Sequence, residues 1–273
     1  MMIMSSEEVT GLIKLRDPLS YKGTHGHAVL LAGNKGKMGA AVLAARACLR
    51  TGAGLLTVNV PQAERFIIQT VIPEAMLQWR EEYNDYSAFT TIGIGPALGI
   101  TSPEHELLSA VLRAFKKPML LDADALNLLA QHKELWQLIP AGSILTPHPK
   151  EFDRMFGEHN STEERKEKAL QLTTQYPWII VLKGAGTLVI EKEQVWKNTT
   201  GNAGLAKGGS GDVLCGMITA LLAEQYPPYD AARIGVYLHG LAADIAIEQQ
   251  SVESLLASDV IECIGKAFEA SRS

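Results

Sequence analysis

The sequence has little cysteine, no long apolar run and no excess of basic charge. Its three cysteines, Cys48, Cys215 and Cys263, are odd in number, widely spaced and form no CxxC pair. That argues against a disulfide framework and a cysteine-based zinc site, and points to a reducing compartment. No uninterrupted apolar segment approaches the roughly 20 residues that a bilayer-spanning helix needs. The opening stretch, MMIMSSEE, turns acidic at once and lacks the pattern of a secretory signal. The expectation is a soluble, cytoplasmic protein with no membrane association. A formal net charge of −5 speaks against non-specific binding of nucleic acid. It does not exclude a nucleotide, because local backbone amides can hold phosphates. Repeats, low-complexity tracts and Pro/Ser linkers are also missing, so the 273 residues are read as one domain, 1–273.

Two nucleotide signatures are absent as well. No glycine-lysine pair is followed by Ser or Thr, which excludes a Walker A loop. After the first apolar run the chain reads AGNKGKMG over 32–39, not GxGxxG. Those glycines suggest only a loop that could fold over a ligand.

What is present is alternation. Apolar runs at 27–33, 55–60, 91–95, 118–122, 143–146 and 178–183 are continuous in polarity, as strands buried on both faces are. Helical patterns lie between them, near 40–50, 103–115, 125–130 and 162–175. Such alternation predicts a three-layer α/β/α sandwich around a mostly parallel sheet. Later come two short strands at 187–191 and 194–197 joined by a tight turn. Three helices follow, over 211–224, 229–249 and 254–270. Ligands of such folds bind where strands end and loops lead into helices.

The sharpest motif is NAGLAKGGSGDVLCGM over 202–217, with three glycines within the four positions 208–211. Glycines let a ligand approach the backbone, and the apolar helix that follows starts with unpaired amides at the positive end of its dipole. This is a cradle for phosphate or an oxyanion. Asp212 beside it could take a proton from a substrate hydroxyl attacking phosphorus. The bland alternative is a tight loop with a helix-capping aspartate.

Residues 201–216, together with Thr146-Pro147-His148-Pro149, Lys183-Gly184-x-x-Thr187 and Gly93-x-Gly95-Pro96, resemble the ADP/ATP-dependent NAD(P)H-hydrate dehydratases, which are ribokinase-like repair enzymes. The resemblance runs from about residue 22 to about residue 240, and the motifs in this order are more specific than any one alone. It implies removal of water from the S form of hydrated NADH or NADPH at the expense of ADP, with Mg2+, giving AMP and phosphate. Asp212 would activate the ring hydroxyl, while the amides of Gly209, Ser210 and Gly211 hold the moving phosphoryl charge. Lys183, Gly184, Ala185, Gly186 and Thr187 match the nucleotide-binding turn, and Gly211 matches a contact to AMP. A hairpin turn with a solvated lysine is what the turn's residues alone would suggest.

Ala40, Ala41, Ala97, His148 and Asn202 match positions that receive the hydrate, together with Asp212. Taken alone, Ala40-Ala41 reads as close helix–sheet packing and His148 as a structural histidine. Ala97 stands where the family has glycine, an exchange that is accommodated if φ stays negative. Lys150 likewise replaces a family glycine before Glu151. Asp122 ends a buried strand and could face the phosphates through magnesium. Glu151 could reach the metal through water or cap a helix, and Asp124 is expected to cap the following helix. The resemblance also implies a homo-oligomer, a tetramer, coupled to an NAD(P)H-hydrate epimerase on a separate chain. Two other readings compete: a kinase for a small alcohol on the same fold, and a nucleotide-binding protein without turnover.

Overall fold

The computed structural model describes residues 1–3, 5–82 and 84–272. Within these, ten strands form one sheet: β1 (Met2–Ile3), β2 (His27–Leu31), β3 (Leu55–Val60), β4 (Met76–Trp79), β5 (Thr91–Ile94), β6 (Leu120–Leu121), β7 (Ile144–Leu145), β8 (Ile179–Leu182), β9 (Leu188–Glu191) and β10 (Gln194–Lys197). Their order is β1-β10-β9-β8-β7-β6-β5-β2-β3-β4. Only β9 is antiparallel to its neighbours. The turn between β9 and β10 places Lys192 at φ 51, which fits the expected tight hairpin.

The continuous apolar runs are buried on both faces, as their polarity predicts. Side chains alternate along a strand, so β2 sends Ala28 and Leu30 to one layer and Val29 and Leu31 to the other. The first layer contains α1 (Ser6–Leu12), α2 (Met38–Thr51), α3 (Arg65–Val71), α8 (Ser210–Ala223), α9 (Pro228–Ala246) and α10 (Ala257–Ala270). The second contains α4 (Ser102–Ala114) and α5 (Asp124–Gln131) beside β5 and β6, and α6 (Pro149–Phe156) and α7 (Thr162–Gln175) beside β8 and β9. The architecture is therefore a three-layer α/β/α sandwich. No helix is long and apolar enough to cross a membrane among the described residues.

α8 is buried throughout from Val213 to Ala223, as its nearly unbroken apolar sequence requires. It lies against α2 so closely that a Cβ at Gly216 would stand 2.1 Å from the Ala44 carbonyl oxygen. That contact fixes where α8 begins, above the carboxyl ends of the central strands. The strand order reverses between β2 and β5, the kind of switch point beside which ligands of such sheets bind.

Candidate active site

The ends of β2, β5, β6, β7 and β8 lie side by side. Gly95 N–H donates to Leu31 O at 3.1 Å, Asp122 N–H to Ile94 O at 3.0 Å, and Thr146 N–H to Leu121 O at 3.1 Å. The residues predicted from separate motifs are thus neighbours along one edge. The loops after β2 and β5 are tied together, with Gly33 N–H on Pro96 O at 2.8 Å and Asn34 Nδ2 on Leu98 O at 2.9 Å. Arg80 locks this pair from below, donating to Gly33 O at 2.7 Å, Ala32 O at 2.9 Å and Asn59 O at 3.0 Å. Burial brings its guanidinium down to about 10, so it stays charged. Arg80 follows β4, a half-exposed edge strand without a continuous apolar run, so neither stands out in the sequence.

α8 opens on Gly209, whose φ of 94 belongs to the left-handed region that glycine favours. Its Cβ position would lie 2.6 Å from Leu43 Cδ1 and 3.0 Å from Ala257 Cβ, so a side chain there would have to displace its neighbours. Among the described residues, the amides of Gly211 and Asp212 find no carbonyl partner. They are free to meet an anion, as a helix start allows. Asp212 itself makes no capping hydrogen bond, which overturns the helix-cap alternative. Its half-buried carboxylate is unpaired among the described residues, and its pKa rises to about 6. Burial is the main cause, followed by repulsion from Asp122, while Lys183 pulls the other way and Asp124 adds to the rise. An acid poised near neutrality is suited to take up a proton.

Lys183 holds the centre. It follows β8, and its Nζ lies 2.7 Å from Asp122 Oδ1, 3.8 Å from Glu151 Oε2 and 3.6 Å from where a Gly211 Cβ would be. Burial alone lowers an ammonium, but Asp122 and Glu151 together lift Lys183 above its ordinary value. The ammonium is not a solvated surface charge. Asp122 also accepts from Thr146 Oγ1 at 2.7 Å, and Glu151 accepts from the His148 amide at 2.8 Å. Glu151 thereby completes a capping box at the start of α6, where His148 is the cap residue. Both carboxylates are committed to protein donors, with Lys183 standing beside them. One ammonium against two carboxylates leaves the set one negative charge in excess, with Asp122 Oδ1 and Glu151 Oε2 already accepting from protein donors.

Other expectations need correction. Ala97 sits at φ 48, not at a negative angle. It is the third residue of a Gly95–Leu98 turn with Pro96 second, where a left-handed residue is required and glycine is preferred. Ala41 is fully buried and faces the core, whereas Ala40 is partly exposed, so the pair is split. Asp124 does not cap α5. It accepts from the Gly99 amide at 2.9 Å and from Asn127 at 3.2 Å, tying the loop after β5 to the helix. The cap position belongs to Ala123, at φ 49 and ψ −115, a conformation strained by roughly 1–3 kcal/mol for a residue with a Cβ. That sharp bend is what turns Asp122 towards Lys183 and Asp124 towards Gly99.

A cavity of about 760 Å3 opens beside the helix start. Lys183, Gly184, Ala185, Gly186 and Thr187 form one wall, Ser210 and Gly211 another, and His148, Asn202 and His239 also reach it. Asn202 is anchored from behind by Asp244, 2.9 Å from its Nδ2. Asp212 does not line this cavity; its charged neighbours are Asp122, Lys183 and Asp124, on the side of the loop after β5. The helix start thus separates two regions, the cavity on the Ser210–Gly211 side and the Asp212 carboxylate on the other. His239, on α9, carries no signal in the sequence, since one histidine in an apolar helix reads as core. Its Nε2 lies 3.4 Å from Ser210 Oγ. Burial drives its imidazole down to about 4, against the Ser210 backbone contact, so it is neutral at physiological pH. Cys215, one turn beyond Asp212, is fully buried and its thiol is pushed well up by burial and by Asp122, which excludes it as a nucleophile.

A model of the NAD(P)H-hydrate dehydratase family matches residues 28–266. The chain belongs to the NAD(P)H-hydrate dehydratase family. The ADP-dependent (S)-NAD(P)H-hydrate dehydratase of Bacillus subtilis (strain 168) is 36% identical, over 97% of this chain and 98% of its own. The bifunctional NAD(P)H-hydrate repair enzyme of Vibrio cholerae serotype O1 is 37% identical over 92% of this chain, which spans about half (51%) of that relative's length. A crystal structure of the ADP/ATP-dependent NAD(P)H-hydrate dehydratase from Bacillus subtilis, co-crystallised with ATP and Mg2+, matches with a TM-score of 0.87 at 33% identity, covering 99% of this chain and 98% of that one. A ribokinase-like superfamily protein from Enterococcus faecalis V583 matches with a TM-score of 0.88 at 27% identity, covering 100% and 97%. The family's fold is therefore the ribokinase-like one that the sequence motifs implied.

Proposed function

We propose that this chain, acting as one domain, dehydrates the S forms of hydrated NADH and NADPH (NADHX and NADPHX), converting ADP to AMP and phosphate. The observation that carries the reading is the position of Asp212. An unpaired carboxylate of pKa about 6 adjoins free helix-start amides, and Gly211 among them borders a cavity walled by residues 183–187.

In this reading the nucleotide occupies the cavity along Gly184, Ala185, Gly186 and Thr187, with its phosphates against Ser210, Gly211 and the Lys183 ammonium. The hydrate approaches Asp212 from the side of Ala40 and Ala97, and its far end reaches round the helix start to His148 and Asn202 at the cavity wall. Asp212 accepts the proton of the ring hydroxyl as its oxygen bonds to the terminal phosphorus of ADP, and the bond from phosphorus to AMP breaks. The free amides stabilise the charge on the transferring group. The ring nitrogen then donates its electron pair as the C–O bond breaks, releasing phosphate and the reduced nicotinamide. Magnesium arriving with the nucleotide would neutralise phosphate charge, and Asp122 and Glu151 would act on it through water. An epimerase supplying the S form from the R form would feed the reaction, and the chain would work in the cytoplasm as a homo-oligomer, a tetramer.

The test is to give the purified protein S hydrate with ADP or ATP and follow the return of reduced-nicotinamide absorbance. Recovery with ADP is expected, accompanied by AMP and phosphate. No recovery with either nucleotide, together with phosphorylation of hydroxymethylpyrimidine, hydroxyethylthiazole or a sugar, would favour the small-alcohol kinase. No turnover at all with intact ADP binding would leave a nucleotide-binding protein.

A further inference from the structure

In the second helical layer, outside the motifs above, two histidines and a glutamate come together. His105 lies in the first turn of α4, His132 closes the carboxyl end of α5, and Glu134 is the second residue of the 3-10 turn Lys133–Leu138. One donor atom from each lies within 4.8 Å of the others. The imidazoles are stacked with centroids 3.7 Å apart and planes at 20°. Such a face-to-face pair is not what ring quadrupoles prefer. The contact is imposed by the backbones: Leu108, Val111 and Leu112 seat α4 in the core, and Leu135 and Trp136 seat the turn in the same cluster.

Glu134 Oε1 already lies 3.2 Å from His132 Nδ1. The ring nitrogens of His105 have no hydrogen-bond partner among the described residues. All three side chains are partly or fully exposed, so rotation about their side-chain bonds can bring the donors closer. The donor–donor separation needed around zinc is about 3.3 Å for bonds of about 2.0–2.1 Å.

We propose that His105, His132 and Glu134 form a site for a borderline transition-metal ion, zinc or nickel by class, completed by water. Two imidazoles and one carboxylate suit such ions and not magnesium or calcium, which take all-oxygen sets. The ion would pin the start of α4 to the end of α5, the two helices that flank the loop after β5.

The test uses untagged, chelator-stripped protein titrated with Zn2+ alone by calorimetry, and with Co2+ alone by visible absorption. One saturable equivalent is expected, with a rise of roughly a few degrees in Tm at saturating Zn2+. His105→Ala should weaken binding by roughly 100-fold or more and remove the cobalt band. Glu134→Gln, a change at an exposed side chain, should weaken it without touching the fold. No saturable binding would overturn the proposal. So would binding that survives His105→Ala and disappears in Cys263→Ser.

Discussion

Asp122 and Glu151 are carboxylates buried at the site, and one ammonium, that of Lys183, is shared between them. Removing that ammonium leaves two uncompensated buried charges. Lys183→Met should therefore destabilise the protein by about 3–5 kcal/mol at pH 7, seen as a lower urea midpoint. Adding Asp122→Asn should restore part of the stability but none of the lost ADP affinity. A neutral Lys183→Met would show that the three groups are not one unit. Ala97 offers the opposite case. Its positive φ strains the turn, so Ala97→Gly should stabilise by about 0.5–1 kcal/mol after allowing for the looser unfolded chain; a lower midpoint would contradict the strain. Residue types at 183–187 and 208–212 made these positions legible in the sequence. Their partnerships were not, because Lys183 meets Asp122 across 61 residues and only the sheet order brings them together.

Elements were legible where one face pattern decided them. The buried parallel strands and the helices α2, α4, α5, α7, α8, α9 and α10 follow from apolar continuity and period. β4 was missed because an edge strand is half-exposed and needs no continuous apolar run. α6 is too short and too polar to announce itself by apolar period, and only the capping alternative for Glu151 points to it; Pro149 begins the helix, where its missing N–H costs nothing. The placement of α8 rests on Gly216, which lets it approach α2. Gly216→Ala should cost about 1–3 kcal/mol through overpacking and lower activity together with stability, because the start of α8 carries the amides. A stable but inactive Gly216→Ala would point to a different cause. A fully active, fully stable variant would show that the close approach is dispensable.

For the molecule as a whole, the fold stations a half-buried acid at the start of its most buried helix, next to a ligand-sized cavity. That arrangement has a cost. A carboxyl group raised from 3.8 to about 6 binds its proton more tightly folded than unfolded. Its contribution to stability therefore falls as pH rises from about 4 through about 6. Asp212→Asn should accordingly raise the Tm at pH 7. The same raised value predicts that turnover climbs with pH through about 6 as the base ionises. The most direct measurement is single turnover of S hydrate with ADP across pH 5–8, on wild type and Asp212→Asn, with ADP affinity determined on the same samples. The account predicts a wild-type rate rising through pH about 6, and a loss of roughly 10²–10⁴-fold in Asp212→Asn with ADP affinity retained. A variant that turns over at the wild-type rate, or a wild-type rate flat across that range, would contradict it.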